Sequence, residues 1–329
     1  MRTFGYETAT SPEDAVRLVA ANPGAKLLGG GTNLVDLMRA GIENPPMLID
    51  LTRAGMTEIE SRDGRLRIGG AVRNTDLAAD ETVRRRFPLI SKAVVSGASG
   101  QLRNMATVGG NLMQRTRCSY FYDLETACNK RLPGSGCDAR TGFHRMGAIL
   151  GASENCLSVH PSDLCVALAA ADAEVELTGP DGVRVVPINE LYREPGDTPH
   201  VENVAQPGEV ITAVEVPPLP AGVRSTYRKV RDRASYAFAL VSVAAALTVE
   251  DGTISQARLA LGGIGTVPWR ARAAERILTA APSTPDTFRA AIAAELEAAV
   301  GTADTEFKIG LTARTVVAVL SDLTREASR

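Results

Sequence analysis

The sequence contains no run of about 20 apolar residues, the length that a bilayer core demands. Its longest apolar stretch, Ala237 to Val249, is broken by Ser242 and Thr248, which excludes a helical membrane span. Surplus charge is missing too: 36 Lys and Arg against 38 Asp and Glu leave a net charge of −2. Nothing in that balance points to nucleic acid or a membrane surface as partner. The opening MRTFGYETATSPEDAV has no apolar core of the kind an export signal needs, so no export address is expected on this chain itself. Repeats of solenoid period and low-complexity tracts are absent. Cysteine is absent from most of the chain: five occur, all between Cys118 and Cys165. That is too sparse for a disulfide scaffold, and in a reducing compartment such a group reads first as metal binding or catalysis.

What is present is ordinary for a globular protein: 329 residues, 44% hydrophobic and 22% charged, enough for two or three domains. FGYETA reads as a strand and SPEDAVRLVAANPG as a helix capped by Ser11, with Pro12 at its first position and Gly24 past its end. KLLGGGTNLVDLMRAG reads as strand, glycine turn and helical segment, and PMLIDLT as a further strand. TEIESRDGRLRIGGAV is a hairpin turning at Asp63-Gly64, and a mostly helical stretch runs to about Ser96. From Gly97 to about Val159 there is little periodicity, and the segment reads as functional loop. A helix starts near Pro161 and a hairpin turns at Pro180-Asp181-Gly182, followed by a long polar loop, YREPGDTPHVENVAQPG. The proline-rich VPPLPAG, Val216 to Gly222, marks a domain boundary. Beyond it strands are expected, then helices over Arg270–Ala281, Thr287–Val300 and Ala313–Ala327.

The first motif is LLGGGTNLVDLM. Three glycines after a strand let the backbone turn sharply and aim N–H groups at an anion such as pyrophosphate. Leu34 stands where a dinucleotide fingerprint needs its third glycine, so this is not the Rossmann pattern; a bare turn is the competing reading. TVGGNLMQ, residues 107–114, supplies a second glycine turn that could close with the first on one extended ligand. The cysteines follow C-x9-C-x8-C-x18-C over Cys118, Cys128, Cys137 and Cys156. This spacing matches neither the paired C-x2-C of zinc ribbons nor the compact ferredoxin run. A [4Fe–4S] cluster held by an insertion loop fits four thiolates, and Pro133, Gly134 and Gly136 let the chain fold tightly. Seven Lys and Arg against three Asp and Glu between Arg103 and Arg145 give the segment positive charge. Structural zinc, with His144 or His160 as a ligand, and inert thiols remain open on spacing alone. Cys165, among apolar residues, reads as a small core side chain. Ser162 and Asp163 read first as helix caps.

Taken in order, LLGGGTNL, GASGQLRNMATVGGNL, HPSDLCVALAAADAEVEL and YRKVRDRASYAFALVSVA resemble the FAD-binding medium subunit of the molybdenum hydroxylases, the xanthine dehydrogenase and carbon monoxide dehydrogenase group. The insertion TRCSYFYDLETACNKRLPGSGCDAR, followed by GASENCLSVHPSD, is similar to the flavin subunit of bacterial three-chain, periplasmic-type aldehyde oxidoreductases acting on aromatic aldehydes. That resemblance implies an α+β fold: a FAD-binding domain of the vanillyl-alcohol-oxidase (PCMH) type in two subdomains, residues 1–55 and 56–218. The second would carry the insertion, about 115–158. A smaller α+β CO-dehydrogenase-flavoprotein-like C-terminal domain, residues 222–329, would follow.

The resemblance also implies a FAD site at Lys26, Leu28, Gly29, Gly30, Gly31, Thr32, Asn33 and Leu34, again at Thr107, Gly110 and Asn111, and at Ser162, Asp163, Lys229 and Tyr236. It implies a [4Fe–4S] cluster on Cys118, Cys128, Cys137 and Cys156, and no acid–base catalytic residue in this chain. Partners implied are a molybdenum-cofactor large subunit, a [2Fe–2S] small subunit and an external electron acceptor, with electrons leaving through FAD. The compartment would be cytoplasmic, or periplasmic by co-export with a signal-bearing partner. Two other classes stand beside it. One is a stand-alone flavin reductase, since GGGTN also resembles the flavin site of UDP-N-acetylenolpyruvoylglucosamine reductase; the other is a zinc-stabilised binding module.

Overall fold

The computed structural model describes residues 2–220 and 222–325. Met1, Ala221 of the proline-rich break, the expected helix end at Ala327 and the terminal bound at residue 329 lie outside the described residues. The first unit runs β1 (Gly5–Thr8), α1 (Pro12–Ala21), β2 (Lys26–Leu28), α2 (Leu34–Arg39) and β3 (Met47–Asp50). Its strands form a parallel sheet in the order β1-β3-β2. Helix α1 begins as its sequence dictates: the Ser11 hydroxyl accepts from the Asp14 N–H at 3.1 Å and Pro12 follows.

The next strands are β4 (Ile59–Arg62) and β5 (Arg65–Gly69), joined by Asp63 and Gly64 at φ 50° and 81°, as the expected Asp-Gly turn requires. Short helices follow: α3 (Asn74–Ala79), α4 (Glu81–Arg86), α5 (Pro88–Ser96), α6 (Gly100–Met105), α7 (Val108–Leu112) and α8 (Ser119–Tyr122). Three of these fall in the stretch expected to be loop. At four to six residues each, they are too short to leave a 3.6-residue periodicity in the sequence. Then come α9 (Asp163–Ala170), β6 (Glu174–Gly179), β7 (Gly182–Pro187), α10 (Ile188–Leu191) and β8 (Val210–Val216). An antiparallel sheet assembles in the order β4-β5-β8-β6-β7.

The last unit is β9 (Arg224–Val230), β10 (Val241–Glu250), β11 (Thr253–Gly262) and β12 (Trp269–Arg270), then α11 (Arg272–Leu278), α12 (Pro285–Glu295) and α13 (Phe307–Arg325). Strand β10 is buried on both faces and its side chains alternate strictly. Val241, Val243, Ala245 and Leu247 pack into the core under the C-terminal helices, while Ala244 turns to the core shared with α5 and α9. Helix α9, LCVALAA after its first residue, is buried on every side between the two sheets. This sandwich fixes the residues just before α9, which form part of the site.

Candidate functional site

The glycines of residues 29–31 follow β2 and lead into α2. Gly31 sits at φ +73°, a conformation that side-chain-bearing L residues rarely adopt. Against this turn stands the second motif, where the Thr107 hydroxyl accepts from the Gly110 N–H at 3.2 Å and caps α7. The two turns abut. A Cβ on Gly29 would fall against Thr107 Oγ1, and one on Gly30 would overlap the Met105 carbonyl oxygen. The sequence reading gave all three bare backbones to the approach of a ligand. Gly29 and Gly30 are also required by the approach of the second turn, because the Thr107 side chain and the Met105–Ala106 backbone occupy the space their side chains would need.

A cleft of about 920 Å³ opens beside the paired turns, at the upper end of the ~300–1,000 Å³ usual for ligand sites. Lys26, Gly29 to Leu34, Thr107 and Gly110 line it, whereas Leu28 and Asn111 do not. Asn33 Oδ1 accepts from the Arg115 N–H at 2.8 Å, but Asn33 Nδ2 is buried without a partner, as is Nε2 of His160, which also lines the cleft. A buried donor left unpaired costs roughly 1–3 kcal/mol, so these two nitrogens suit a cleft that receives an acceptor-rich ligand.

A charge network that no local sequence signal announces also lines the cleft. Arg115 reaches Glu43 at 2.8 Å and Glu202 at 2.5 Å, Lys130 reaches Glu202 at 3.1 Å, and Lys26 lies 3.6 Å from Glu43. Burial raises the Glu202 carboxyl, but Lys130 and Arg115 outweigh it and hold the group below the usual carboxylate range. The His160 ring packs against Tyr192 with centroids 4.4 Å apart and planes tilted by 60°. Tyr192 in turn donates to the Leu112 carbonyl at 2.9 Å and lies 3.0 Å from Cys165 Sγ. Burial pushes His160 down to about 3 and the Cys165 thiol up to about 11. Cys165 is therefore a core thiol, as its apolar neighbours implied.

The HPSD segment behaves mainly as a cap. Ser162 Oγ accepts from the Cys165 N–H at 3.1 Å and donates to Asn111 Oδ1 at 2.6 Å, tying α9 to the second turn. Asp163 is buried, accepting from Tyr227 Oη at 2.5 Å and Lys229 Nζ at 2.7 Å. Lys229 also donates to the Ser96 carbonyl at 3.2 Å. Ser162 and Asp163 line a smaller cavity of about 70 Å³, which His160 shares with the cleft. Lys229 and Tyr236 line neither. Tyr236 is 55% exposed, with the Arg233 guanidinium over its ring.

Residues 2–219 match the family described as the FAD binding domain in molybdopterin dehydrogenase, and residues 225–322 match the CO dehydrogenase flavoprotein C-terminal domain. The chain belongs to the FAD-binding subunits of the molybdopterin dehydrogenases. This flavin subunit is 50% identical over 330 residues to the aldehyde oxidoreductase FAD-binding subunit PaoB of Escherichia coli (strain K12), covering 99% of this chain and 100% of that one. It is 29% identical over 290 residues to the xanthine dehydrogenase FAD-binding subunit of Escherichia coli O157:H7, covering 87% and 82%. Its fold matches a chain of the carbon monoxide dehydrogenase of Hydrogenophaga pseudoflava that lacks the Mo-pyranopterin moiety, with a TM-score of 0.79, 24% identity and 98% of each chain covered. The expected mixed fold, a FAD-binding domain followed by a CO-dehydrogenase-flavoprotein C-terminal domain, is the one found. Among the described residues, no helix is long and apolar enough to cross a membrane.

In the flavin subunit the four insertion cysteines come to one region. Cys118, Cys128 and Cys156 are buried and Cys137 half-buried, with Cys128 and Cys137 bridged as short antiparallel partners. Burial pushes the Cys118 thiol up to about 12, and Cys156 and Cys128 add to the rise; burial and the same two neighbours raise Cys137. Cys156 Sγ accepts from the Ser158 N–H at 3.5 Å and lies 3.2 Å from Ser158 Oγ. Among the described residues, no group of three or more His, Cys, Asp or Glu is set around a single ion. Sequence reasoning missed Arg115, Lys130, Glu202 and Tyr192 as cleft residues. The only signal was the length of the polar loop after Tyr192, which folds back over the cleft instead of running free.

Proposed function

We propose that this chain is the electron-transfer subunit of a molybdenum-dependent aldehyde oxidoreductase, taking electrons derived from aromatic aldehydes and delivering them to an external acceptor. The observation that carries the reading is a shared wall. Ser158, Val159 and His160 line the cleft, and Ser158 also bonds Cys156, so five residues, 156–160, join the cysteine group to the FAD cleft. Bound FAD supplies the exchange between one- and two-electron transfer, and a bound [4Fe–4S] cluster supplies one-electron transfer.

The chain's own residues hold and insulate. The glycine turns and Asn33 bind the FAD phosphates and ribityl hydroxyls. Arg115 and Lys130, neutralised by Glu43 and Glu202, fix the cleft wall without adding net charge. Cys118, Cys128, Cys137 and Cys156 hold the cluster. The donor set supports this: four thiols lie in one region, close enough that Cys128 and Cys156 raise the proton affinity of Cys118 and Cys137. The Ser158 N–H on Cys156 is the type of sulfur hydrogen bond that tunes such a core. Ser162, Asp163, Lys229 and Tyr236 act, in this reading, from behind the cleft wall or after partner docking.

The same reading includes the domain bounds 1–55, 56–218 and 222–329, with the insertion at about 115–158. It includes a molybdenum-cofactor large subunit and a [2Fe–2S] small subunit as partners, and the cytoplasm, or the periplasm by co-export, as compartment. Metal and flavin analysis of anaerobically purified chain tests it. About four irons per chain with one FAD and no zinc is the expected result. One zinc and no iron would remove the cluster from the proposal and leave the flavin subunit.

A further inference from the structure

His160 belongs to neither glycine turn nor to the cysteine group, yet it stands where the two regions meet. Its Nδ1 accepts from the backbone N–H of Ser162 at 3.3 Å. A backbone N–H can only donate, so Nδ1 carries its lone pair and the neutral ring must carry its proton on Nε2. That Nε2–H is buried and has no partner. The ring cannot turn to find one freely, because it packs against Tyr192 at a 60° tilt and Tyr192 is fixed at its own hydroxyl to Leu112 and Cys165.

We infer that His160 Nε2–H is a hydrogen-bond donor to the isoalloxazine ring of the flavin, at a ring nitrogen or carbonyl, and so sets the flavin's reduction potential. The inference rests on the proposal that FAD occupies the cleft. The chemistry favours the ring over the pyrophosphate. The glycine turns already offer backbone to the phosphates, and a doubly charged group is matched by Lys or Arg rather than by a neutral imidazole. Burial holds His160 uncharged above about pH 3, and the aromatic face of Tyr192 beside it suits a flat heterocycle. A donor on a ring acceptor favours the electron-rich reduced form and raises the potential.

The test uses the full chain purified with its flavin. His160→Phe keeps the aromatic contact with Tyr192 and removes the donor, and His160→Gln keeps a donor. The Phe variant is expected to retain FAD at wild-type stoichiometry, with a lower flavin midpoint potential and a shifted visible absorption envelope; the Gln variant recovers most of both. A Phe variant with full FAD and unchanged potential and spectrum would overturn the inference, turning the N–H toward the small cavity instead. Loss of FAD from both variants would also overturn it, leaving His160 a wall residue. A wild-type chain that binds no FAD sinks the underlying reading and is told apart by that measurement alone.

Discussion

Cys118 and Cys137 each feel Cys128 and Cys156, and that mutual influence makes a single-residue test decisive. Cys128→Ser is expected to abolish iron binding while leaving FAD content unchanged, read by iron assay and flavin absorbance on one sample. A variant with full iron would remove Cys128 from the ligand set. Gly30 makes the converse case. Because a Cβ there meets the Met105 carbonyl and the Ala106 backbone, Gly30→Val drives the two turns apart. FAD occupancy should fall at least tenfold with iron retained; unchanged flavin would show that the turns tolerate separation. The residue types of both sites were legible in the sequence, since thiols and glycine runs are rare enough to stand out. The reason for Gly30 was not, because its neighbour lies 75 positions away.

At the level of elements, α9 is the piece that holds the site to the rest of the fold. Its first residue, Asp163, takes both its partners, Tyr227 and Lys229, from β9. Removing one member of a buried ion pair costs about 3–5 kcal/mol. Lys229→Met should therefore lower the urea midpoint markedly, and adding Asp163→Asn should restore part of the loss. A single variant as stable as wild type would mean that Tyr227 alone satisfies the carboxylate. Elements with local signals were readable: the Ser11 cap, the Asp63-Gly64 turn and the apolar strand β10. Helix α13 starts at Phe307 rather than at the expected Ala313 because its first turn contains a lysine, Lys308, turned inward. Sequence patterning assigns such a residue to solvent. The helices between Gly97 and Val159 escaped because each is shorter than two turns, too short for a repeat to show.

For the molecule as a whole, Lys308 joins three distant parts. It is fully buried, and Nζ donates to the Gly147 and Gly263 carbonyls at 2.8 Å each. Burial, reinforced by Arg145, pushes its amine down to about 7. The unfolded chain holds that proton up to about pH 10.4. Between those limits the unfolded state binds more protons, so the group's contribution to stability rises with pH. Wild type should gain stability relative to Lys308→Met from pH 7 to 9.5, seen in paired urea unfolding curves. A constant difference between the two proteins would show that the amine stays charged when buried.

Arg115 has a bearing on how the protein matures. Its guanidinium reaches Glu43 beyond the first glycine turn, Glu202 in the polar loop and, at 3.4 Å, the Lys130 carbonyl between Cys128 and Cys137. One side chain thus fastens the segment of the first glycine turn to the segment that carries the cysteines. Because that fastening is made by the polypeptide alone, each segment stays in register when the other is empty. In the proposed reading the two groups can therefore be inserted in either order, and a polypeptide starved of one still accepts the other.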